Sequence, residues 1–552
     1  MKKYINSITN KNFVLGLCAG IGLCLGLYLS QGLIKKPDYK FNKVLAYIEK
    51  YYLEEINKQD LEALTETAIA KLANQLDPHT TYINAQQNAI NQPYLQGNFE
   101  GIGIEFAILQ DTIYVLNSIP HGPAHQAGIQ PGDKIIQIDD QSWTKKDLAF
   151  NEIIEKMRGP KGSSVKLSIQ RNKEKQLLDI HVVRDQIPTQ SIEASYMLNN
   201  QTGYIKLAHF ATHTYKDFVK EINQLREQGM QQLLLDLRDN LGGYLTPALA
   251  IGEEMLEPGK LMLYTKGKYK GFNKEYYAEG KNSLQKVPII ILLNEQTASA
   301  AELLAGILQD HDRALIVGRR SFGKGLVQWP IEFKDKSVLN LTIERYFMPS
   351  GRFIQKPYDR NKRSAYQYDL GTRYQRGEYF FADSIQFDPS LTYKTTVGRT
   401  VYGGSGIMPD YFIPLDTTSY SNYIDDLLDN YVIQQYAIEY THSHEAQLSK
   451  MNLEDYAKNF QVTQAMCKQL ITHATRLGVQ QPDIITDPIS ASVKHLLKTH
   501  IAKVLWQNQG FYQIYNTTDK TILQSLQLFK EAEALLQENI ADVAERARKP
   551  IN

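Results

Sequence analysis

Cysteine is scarce in this sequence of 552 residues, and no long run of lysine and arginine occurs. Only three cysteines are present: Cys18 and Cys24 lie in an N-terminal apolar segment, and Cys467 stands alone. This excludes a disulfide framework and argues against a metal site built on cysteine. Lysine and arginine total 61 against 60 aspartate and glutamate, a formal net charge of +1. Nothing in this balance indicates nucleic acid or an acidic partner.

One apolar run stands out near the N-terminus. Residues 13–29 carry no charge and follow a basic lead, and as a helix these 17 residues would be roughly 26 Å long. A cleaved signal peptide is the alternative, but no A-x-A-like cleavage site follows the run. Basic residues flank both sides, so charge decides the orientation only weakly. We expect residues 1–35 to be an inner-membrane anchor or a signal segment, with the remainder exported to the periplasm.

The predicted secondary structure changes three times along the rest of the chain. Its 43% hydrophobic and 22% charged residues are typical of globular proteins, and its length predicts roughly three or four domains. Helical spacing predicts a small helical module that ends in the loop LDPHTTYI, where His79 is expected to be structural. Short β segments with Gly and Pro turns come next, followed by alternating strands and helices and then a polar helical tail. The predicted domains are 36–95, 96–186, 187–415 and 416–552, and within the third the Tyr-rich stretch 357–402 indicates an inserted surface loop or hairpin.

Ser299 is the first candidate for a catalytic residue. The apolar run VPIIILLNEQ predicts a buried strand, and TASAAELLAG then predicts a turn into a helix. A serine at such a turn needs a base within hydrogen-bond reach to act as a nucleophile. His311 would lie roughly 18 Å away along the helix, which excludes it. His209 and His213 remain possible, although neither has an acidic residue placed to orient it.

Lys324 is the better candidate for the base. It lies between two glycines in SFGKGLVQ, where the backbone can adopt unusual angles and bring the amine into a crowded site. A free lysine has a pKa of about 10.4, so burial would have to lower that pKa by roughly three units. Gln328, four residues later, could hydrogen-bond the amine without adding a charge.

Several spaced motifs, taken in order, resemble those of the carboxyl-terminal processing peptidases. Ser299 and Lys324 are 25 residues apart, in TASAAELLAGILQD and GRRSFGKGLVQ, and the resemblance includes LDPHTTYI, PAHQAGIQPGD, LLLDLRDNLGGYL, FMPSGRFIQ and GIMPD. It covers about residues 40 to 415. It implies a multi-domain α/β fold: a crotonase/ClpP-like α+β protease core with an inserted β-rich PDZ domain and a helical C-terminal region. The family consists of serine peptidases (S41) with a Ser–Lys dyad.

The resemblance also implies roles for individual residues. Ser299 would be the nucleophile, Lys324 the general base and Gln328 the residue that orients the lysine. The oxyanion would be held by the backbone N–H groups of Ala300 and Gly243, with Gly242 as the neighbouring possibility. An N–H at the start of a helix is unpaired and favours an anion, which agrees with this role. Asp236, Arg238 and Asn240 are expected to hold the turn rather than to react.

The GIGIEF stretch resembles the carboxylate-binding loop of PDZ domains. In such domains the loop offers N–H groups to a peptide's terminal carboxylate, while the peptide adds as a β-strand. Arg158, after the predicted PDZ helix, is a candidate for coupling this domain to the core. The predicted peptide-binding residues are Gly101, Ile102, Gly103, Ile104, Phe106 and Arg158.

These observations predict a serine endopeptidase that recognises protein substrates by their exposed C-termini and cleaves envelope proteins. No metal or organic cofactor is implied, and nucleic acid is not an expected partner. The alternative is a catalytically silent, membrane-anchored adaptor that binds peptides through the PDZ domain. The helical tail could cap the active site, bind an adaptor or mediate homo-oligomer formation.

Overall fold

The computed structural model describes residues 40–144, 148–171, 176–280, 283–359, 362–418, 421–482 and 486–548. The predicted anchor at 13–29 therefore lies outside the described residues. Within the described ranges, no helix is both long enough and apolar enough to cross a membrane. The chain divides after Leu72 into two compact units. Its first elements are α1 (Lys40–Tyr51), α2 (Lys58–Asn74), β1 (Thr81–Ile83) and α3 (Ala85–Gln96).

The segment that resembles a PDZ domain forms a six-stranded antiparallel sheet, a separate two-stranded ladder and a single longer helix. Its strands are β2 (Asn98–Gly101), β3 (Ile104–Leu109), β4 (Thr112–Ser118), β5 (Lys134–Ile138), β6 (Gln141–Ser142), β7 (Ser164–Gln170), β8 (Leu178–Val183) and β9 (Asp185–Pro188). Its helices are α4 (Pro123–Gln126) and α5 (Phe150–Met157). The sheet order is β3-β4-β5-β7-β8, with β6 paired to β5, while β2 pairs with β9. Strand β3 is thus an edge strand, which leaves it able to pair with a peptide.

A six-stranded sheet forms the centre of the larger α/β part. Its elements are β10 (Ile192–Met197), β11 (Thr202–Leu207), α6 (Thr214–Glu227), β12 (Gln232–Asp236), α7 (Leu245–Glu253), β15 (Ile289–Leu293), α8 (Ala300–Asp310), β16 (Leu315–Gly318) and β21 (Tyr411–Phe412). The order is β10-β11-β12-β15-β16-β21, and all pairs are parallel except β10 with β11. Every residue of the strand IIILL is buried, as expected for a central strand covered on both faces.

A second sheet of five strands joins the N-terminal module to this core. It contains β13 (Leu261–Gly267), β14 (Glu275–Tyr277), β17 (Leu326–Glu332) and β18 (Val338–Phe347), in the order β1-β18-β13-β14 with β17 on β18. Strand β1 lies in the stretch 36–95 that the helical spacing predicts as a helical module. It is only three residues long, and its pairing partner in β18 lies more than 250 residues away, so local periodicity carries no signal for it.

The stretch 357–402 is not only a surface loop or hairpin. Its hairpin-like part is the ladder of β19 (Thr392–Lys394) with β20 (Thr400–Tyr402), but α9 (Arg363–Gln367) and α10 (Asp369–Gln375) precede it. Arg373 is buried and donates to the backbone carbonyls of Ser321 at 3.0 Å and Arg320 at 2.7 Å. The segment is therefore tied to the core, because a buried guanidinium needs these acceptors.

The C-terminal region is helical, as predicted, and it has a hydrophobic core of its own. Its helices are α11 (Asn422–Asp429), α12 (Val432–Ser443), α13 (Glu445–Leu448), α14 (Leu453–Asn459), α15 (Gln464–Arg476), α16 (Asp487–Tyr515), α17 (Lys520–Ser525) and α18 (Phe529–Arg548). Leu427, Ile433, Leu470 and Leu497 pack in that core. Helix α16 is broken at Trp506 and Gln507, whose φ/ψ angles are −131°/21° and 56°/−149°.

The last two helices also complete the six-stranded sheet. Helices α6, α7 and α8 cover one face of that sheet. On the other face, Ile522, Phe529, Ala532 and Leu535 of α17 and α18 pack against Leu234, Ile290 and Leu292. The final helices thus provide a layer of the α/β part, although they follow the predicted boundary at residue 416.

Candidate active site

Ser299 lies at the carboxyl edge of the central sheet. Strands β12 and β15 are neighbours and run parallel, so the loops that follow them meet at one edge, where α/β sheets commonly bind ligands. The loop after β15 ends at Ser299, whose φ/ψ of 57°/−123° is strained for a residue with a side chain. All residues of α8, which begins at Ala300, are buried, whereas Ser299 keeps partial exposure.

The turn after β12 is bonded directly to the loop of Ser299. The carbonyl of Asn240 accepts from the N–H of Ala298 at 2.9 Å, and the Asn240 amide donates to the carbonyl of Leu207 at 2.9 Å. Gly242 packs against the serine: a Cβ placed on it would lie 2.8 Å from the Cβ of Ser299. Gly242 has φ of 99°, so only glycine fits this close approach without strain.

Of the three predicted oxyanion donors, one is already occupied. The N–H of Gly242 donates to Asn240 Oδ1 at 2.8 Å, so it cannot also hold an oxyanion in this arrangement. By contrast, the N–H of Gly243 donates to no residue that the structure describes. Ala300 is the first residue of α8, where a helix leaves its N–H unpaired. Gly243 and Ala300 remain the candidates, and their role as oxyanion donors stays a prediction.

Glu302 joins the serine to the lysine loop. Its buried carboxylate accepts from the N–H groups of Ser299 and Lys324, both at 2.8 Å from Oε2. The other oxygen, Oε1, accepts from Ser321 Oγ at 2.5 Å and from the N–H of Gly323 at 2.6 Å. Because one oxygen binds both amides, the backbones of Ser299 and Lys324 lie within two hydrogen-bond lengths of each other.

The amine of Lys324 lies in a partly buried and electrostatically mixed environment. Burial lowers the pKa of Lys324 below its ordinary value, while the negative charges of Glu302 and Asp77 act to raise it. Ser299 Oγ and Lys324 Nζ are both within the described chain and share no hydrogen bond. Catalytic hydrogen bonds in substrate-free enzymes are often long and tighten only in the complex with substrate.

Gln328 forms no hydrogen bond with the lysine that it is predicted to orient. Both residues are described, and the Gln328 amide donates to Thr342 Oγ1 at 3.4 Å rather than to Lys324. The hydroxyl of Thr342 donates in turn to Asp77 Oδ1 at 3.0 Å. Gln328 is therefore linked by hydrogen bonds, through Thr342, to the carboxylate of Asp77, whose charge acts on Lys324. Its role in orienting the lysine stays a prediction.

The PDZ-like segment presents a groove of about 270 Å³ between β3 and α5. All six predicted peptide-binding residues (Gly101, Ile102, Gly103, Ile104, Phe106 and Arg158) line it, and Ile102 is almost fully buried there. The N–H of Gly103 donates to no described residue, so it can receive a carboxylate. Phe150 stacks on Phe106 with ring centroids 5.0 Å apart, which makes the groove apolar.

Comparison with known proteins supports both parts of this arrangement. Residues 201–359 match the model of peptidase family S41, residues 114–171 match a PDZ domain, and residues 423–507 match a family of unknown function (DUF8443). The carboxy-terminal-processing protease of Bartonella bacilliformis is 33% identical over 351 residues, which cover 62% of this chain and 80% of that protein. The carboxy-terminal processing protease CtpB of Bacillus subtilis is 33% identical over 326 residues, covering 58% of this chain and 67% of that one.

The chain belongs to the carboxy-terminal processing proteases of family S41. Among solved structures, the photosystem II D1 C-terminal processing protease is 22% identical and covers 68% of this chain and 86% of that one, but its TM-score of 0.35 carries no argument. Membership of the family makes this chain a serine protease with a PDZ domain. The interpretation as a silent adaptor is therefore abandoned.

Two residues near the protease's lysine were not predicted as part of the site. His79 Nε2 lies 2.6 Å from the hydroxyl of Tyr366, which also accepts from the amide of Gln355 at 3.0 Å. Burial and the charge of Lys324 lower the pKa of His79 to about 3, so its imidazole is neutral. His79 sits in the loop expected to be structural, while Tyr366 comes from the stretch 357–402, and no local motif links the two.

The protease's other histidines are engaged elsewhere. His311 caps the far end of α8 and its Nε2 lies 2.7 Å from the carbonyl of Leu261. His213 Nε2 lies 2.9 Å from the carbonyl of Thr189. His209 is buried, and this burial lowers its pKa to about 4. None of them forms a hydrogen bond to Ser299 in the part of the chain that the structure describes.

Arg158 lies where the PDZ domain meets the N-terminal module of the protease. Its Nη1 donates to the carbonyls of Ala89 at 2.9 Å and Ile90 at 3.1 Å, both on α3. Its guanidinium also lies 5.3 Å from the ring centroid of Phe99, which lines the peptide groove. Arg158 thus contacts the groove on one side and α3 on the other.

Proposed function

We propose that Ser299 and Lys324 form the catalytic dyad of this protease, with the N–H groups of Gly243 and Ala300 as the oxyanion hole. The observation that carries the proposal is the double contact of Glu302, which holds the backbone of both residues at the carboxyl edge of the sheet. The lowered pKa of Lys324 supports it further, because a lysine must be neutral to accept a proton.

The proposed reaction needs only these residues, the substrate and one water molecule. Ser299 Oγ attacks the scissile carbonyl carbon while its proton passes to the neutral amine of Lys324. The carbonyl electron pair moves onto oxygen, which the amides of Gly243 and Ala300 hold, each such donor being worth about 3 kcal/mol. The Lys324 ammonium then returns its proton to the departing amine. Water, activated by the amine, hydrolyses the acyl-enzyme and frees Ser299.

The test is cleavage of an unstructured protein that ends in apolar residues. The wild-type full chain is expected to cleave it, and Ser299→Ala and Lys324→Arg are expected not to, while both variants unfold at the wild-type temperature. Cleavage by Ser299→Ala at the wild-type rate would contradict the proposal.

We propose further that substrates are envelope proteins captured by their C-termini. The groove beside β3 supports this through the unpaired amide of Gly103 and the stacked rings of Phe106 and Phe150. The amide suits a terminal carboxylate, and the rings suit an apolar last side chain. The core would then cut the captured chain near its end.

Arg158 is the proposed link from this groove to the dyad. It binds the carbonyls of α3, which directly follows β1, and β1 pairs with β18. In β18, the N–H and the hydroxyl of Thr342 donate to Thr80 and Asp77, and Asp77 acts on the charge of Lys324. A continuous series of contacts and chain connections, through α3, β1 and β18, is therefore the proposed route from the groove to the lysine.

A peptide with an apolar last residue and a free carboxylate, added to the full chain, is expected to change the cleavage rate of a tail-less substrate at least twofold in the wild type. Arg158→Ala should bind the peptide but lose this response, because its contacts to α3 are gone. Lys156→Ala, an exposed change on the same helix, is the control, and the amidated peptide should have no effect. An unchanged wild-type rate at saturating peptide would overturn the coupling.

We propose that residues 1–35 anchor the chain in the inner membrane with the protease in the periplasm. The support is the uncharged run at 13–29 behind a basic lead. The full-length chain is expected in the membrane fraction and should be digested by a protease added to cells with a permeabilised outer membrane. Recovery of the unprocessed chain in the cytosolic fraction would contradict this location.

A further inference from the structure

Asp519, in the last part of the chain, forms an ion pair with Arg238, which lies next to the turn that contains Gly243. Arg238 lies between β12 and that turn, and its Nη1 donates to Asp519 Oδ2 at 2.8 Å. The same guanidinium donates to both oxygens of Asp236, through Nη2 at 2.6 Å and through Nε at 3.0 and 3.1 Å. Asp519 follows α16, 281 residues after Arg238.

Asp519 balances the charge of a largely buried cluster. Asp236 is fully buried, and Lys206 Nζ lies 3.6 Å from its Oδ1. Burial would raise the pKa of Asp236, but the charges of Arg238 and Lys206 outweigh it and hold that pKa well below its usual value. Without Asp519, the cluster would contain two cations and one anion, which a site of low exposure tolerates poorly.

The cluster is continuous with the candidate oxyanion turn. Lys206 Nζ donates to the backbone carbonyl of Arg238. The next residue, Asp239, has φ of 62° and exchanges two hydrogen bonds with the Asn294 side chain, at 2.9 and 2.8 Å. Asn240 then binds the N–H of Gly242, and Gly243 follows. A series of hydrogen bonds and adjacent residues therefore runs from Arg238 to Gly243.

The C-terminal region places Asp519 by several independent contacts. Its Oδ1 accepts from the N–H of Ile522 at 3.1 Å, which fixes the side chain at the start of α17. The second part of α16 and the residue that follows it are bound to the edge strand β10 by three pairs: Gln509 with Ser195, Tyr512 with Glu193, and Asn516 with Tyr196. Asp519 is thus presented to Arg238 by a helix anchored on the same sheet.

We infer that Asp519 is a positioning residue, through which the C-terminal helical region holds Arg238 and with it the oxyanion turn. This rests on the proposed oxyanion role of Gly243. It assigns a part in the reaction to a segment that follows both the S41 match at 201–359 and the match to a family of unknown function at 423–507.

The test uses the full chain and steady-state cleavage of an unstructured protein. Asp519→Asn keeps an oxygen for the cap of α17 but can turn an amide donor toward the Arg238 guanidinium. We expect kcat to fall about tenfold or more, with KM within about twofold, because the effect concerns the transition state rather than substrate capture. The matched control is Lys520→Ala, which breaks only the surface contacts of Lys520 with Asp416 and Thr418 and should keep the wild-type kcat.

A double-mutant cycle separates positioning from a general loss of structure. Arg238→Met, Asp519→Asn and the double variant are compared, and the double variant should lose no more activity than the worse single variant. Losses that simply multiply would overturn the inference, as would a lower unfolding temperature with unchanged kcat or a rise in KM alone. Residual cleavage by Ser299→Ala would instead count against the dyad, which keeps the two failures distinguishable.

Discussion

Lys324→Arg is expected to lower kcat/KM by on the order of 10² to 10⁴, as much as Lys324→Ala is expected to. Arginine keeps the positive charge and most of the reach of lysine, but its guanidinium is not deprotonated in proteins. If the lysine served only as a structural cation or as a ligand for a negative group, arginine would restore a large part of the activity. Loss in both variants therefore identifies a residue that must give up its proton.

The pH dependence gives the same assignment an independent test. Burial lowers the pKa of Lys324, and the base acts only when neutral, so kcat/KM should rise with pH and level off below the 10.4 of a free lysine. The rising limb should be absent from the residual activity of Lys324→Arg. A profile that turned near 6.5 and persisted in that variant would assign the base to a histidine instead.

Lys336→Ala is the matched control for these lysine variants. Lys336 is exposed and pairs with Glu332 at 2.8 Å, four residues apart on the surface. Such exposed pairs are worth roughly 0–1 kcal/mol. The control should therefore match the wild type in rate, in pH profile and in unfolding temperature.

The sequence points to the proposed reacting residues more clearly than to the residues that hold them. Ser299 and Lys324 stand out because a strand-to-helix turn and a pair of flanking glycines are local signals. Glu302 looks like one polar position on an apolar helix, although its spacing from Ser299 is that of a capping box, and that signal was available. Tyr366 and Asp519 have no local signal, since each acts on a partner that is distant along the chain.

The same distinction applies to the fold. Strand β15 and helix α8 follow from apolar runs that are buried whatever the topology. By contrast, β1 pairs with β18, and α17 and α18 pack on the central sheet, through contacts between residues far apart in the sequence. Local sequence patterns do not predict such contacts. An amphipathic helix such as α18 has an apolar face that fits many partners, so its periodicity predicts a helix but not the surface that covers it.

Glu302→Gln is expected to impair the protease strongly, although the two side chains have nearly the same shape. All four groups around the carboxylate are donors, which suits the ionised form: Oε2 accepts from Ser299 and Lys324, and Oε1 from Ser321 and Gly323. In glutamine one of these oxygens becomes an NH₂ group, which faces at least one backbone N–H. A hydrogen bond to a charged group contributes about 1.5–3 kcal/mol, so we expect a comparable loss in the free energy of unfolding.

Activity should fall more than stability alone explains. The carboxylate fixes the backbone of both dyad residues, and a displacement of about 1 Å at a reacting group can cost about 10²-fold in rate. We expect a loss of that order in kcat, measured at a temperature where the variant is fully folded. Glu332→Gln, which changes an exposed carboxylate, is the matched control and should keep the wild-type rate.

The pH profile distinguishes this role from simple damage. The negative charge of Glu302 raises the pKa of Lys324, because it favours the ammonium form. Without that charge, less opposes the lowering of the pKa of Lys324 by burial, so this pKa falls further. The pH range over which kcat/KM rises therefore moves to lower pH. Glu302→Gln should therefore be slower at every pH but reach its own plateau earlier. A profile that kept the wild-type midpoint would mean that Glu302 does not act on the lysine's charge, and a shift to higher pH would contradict the geometry altogether.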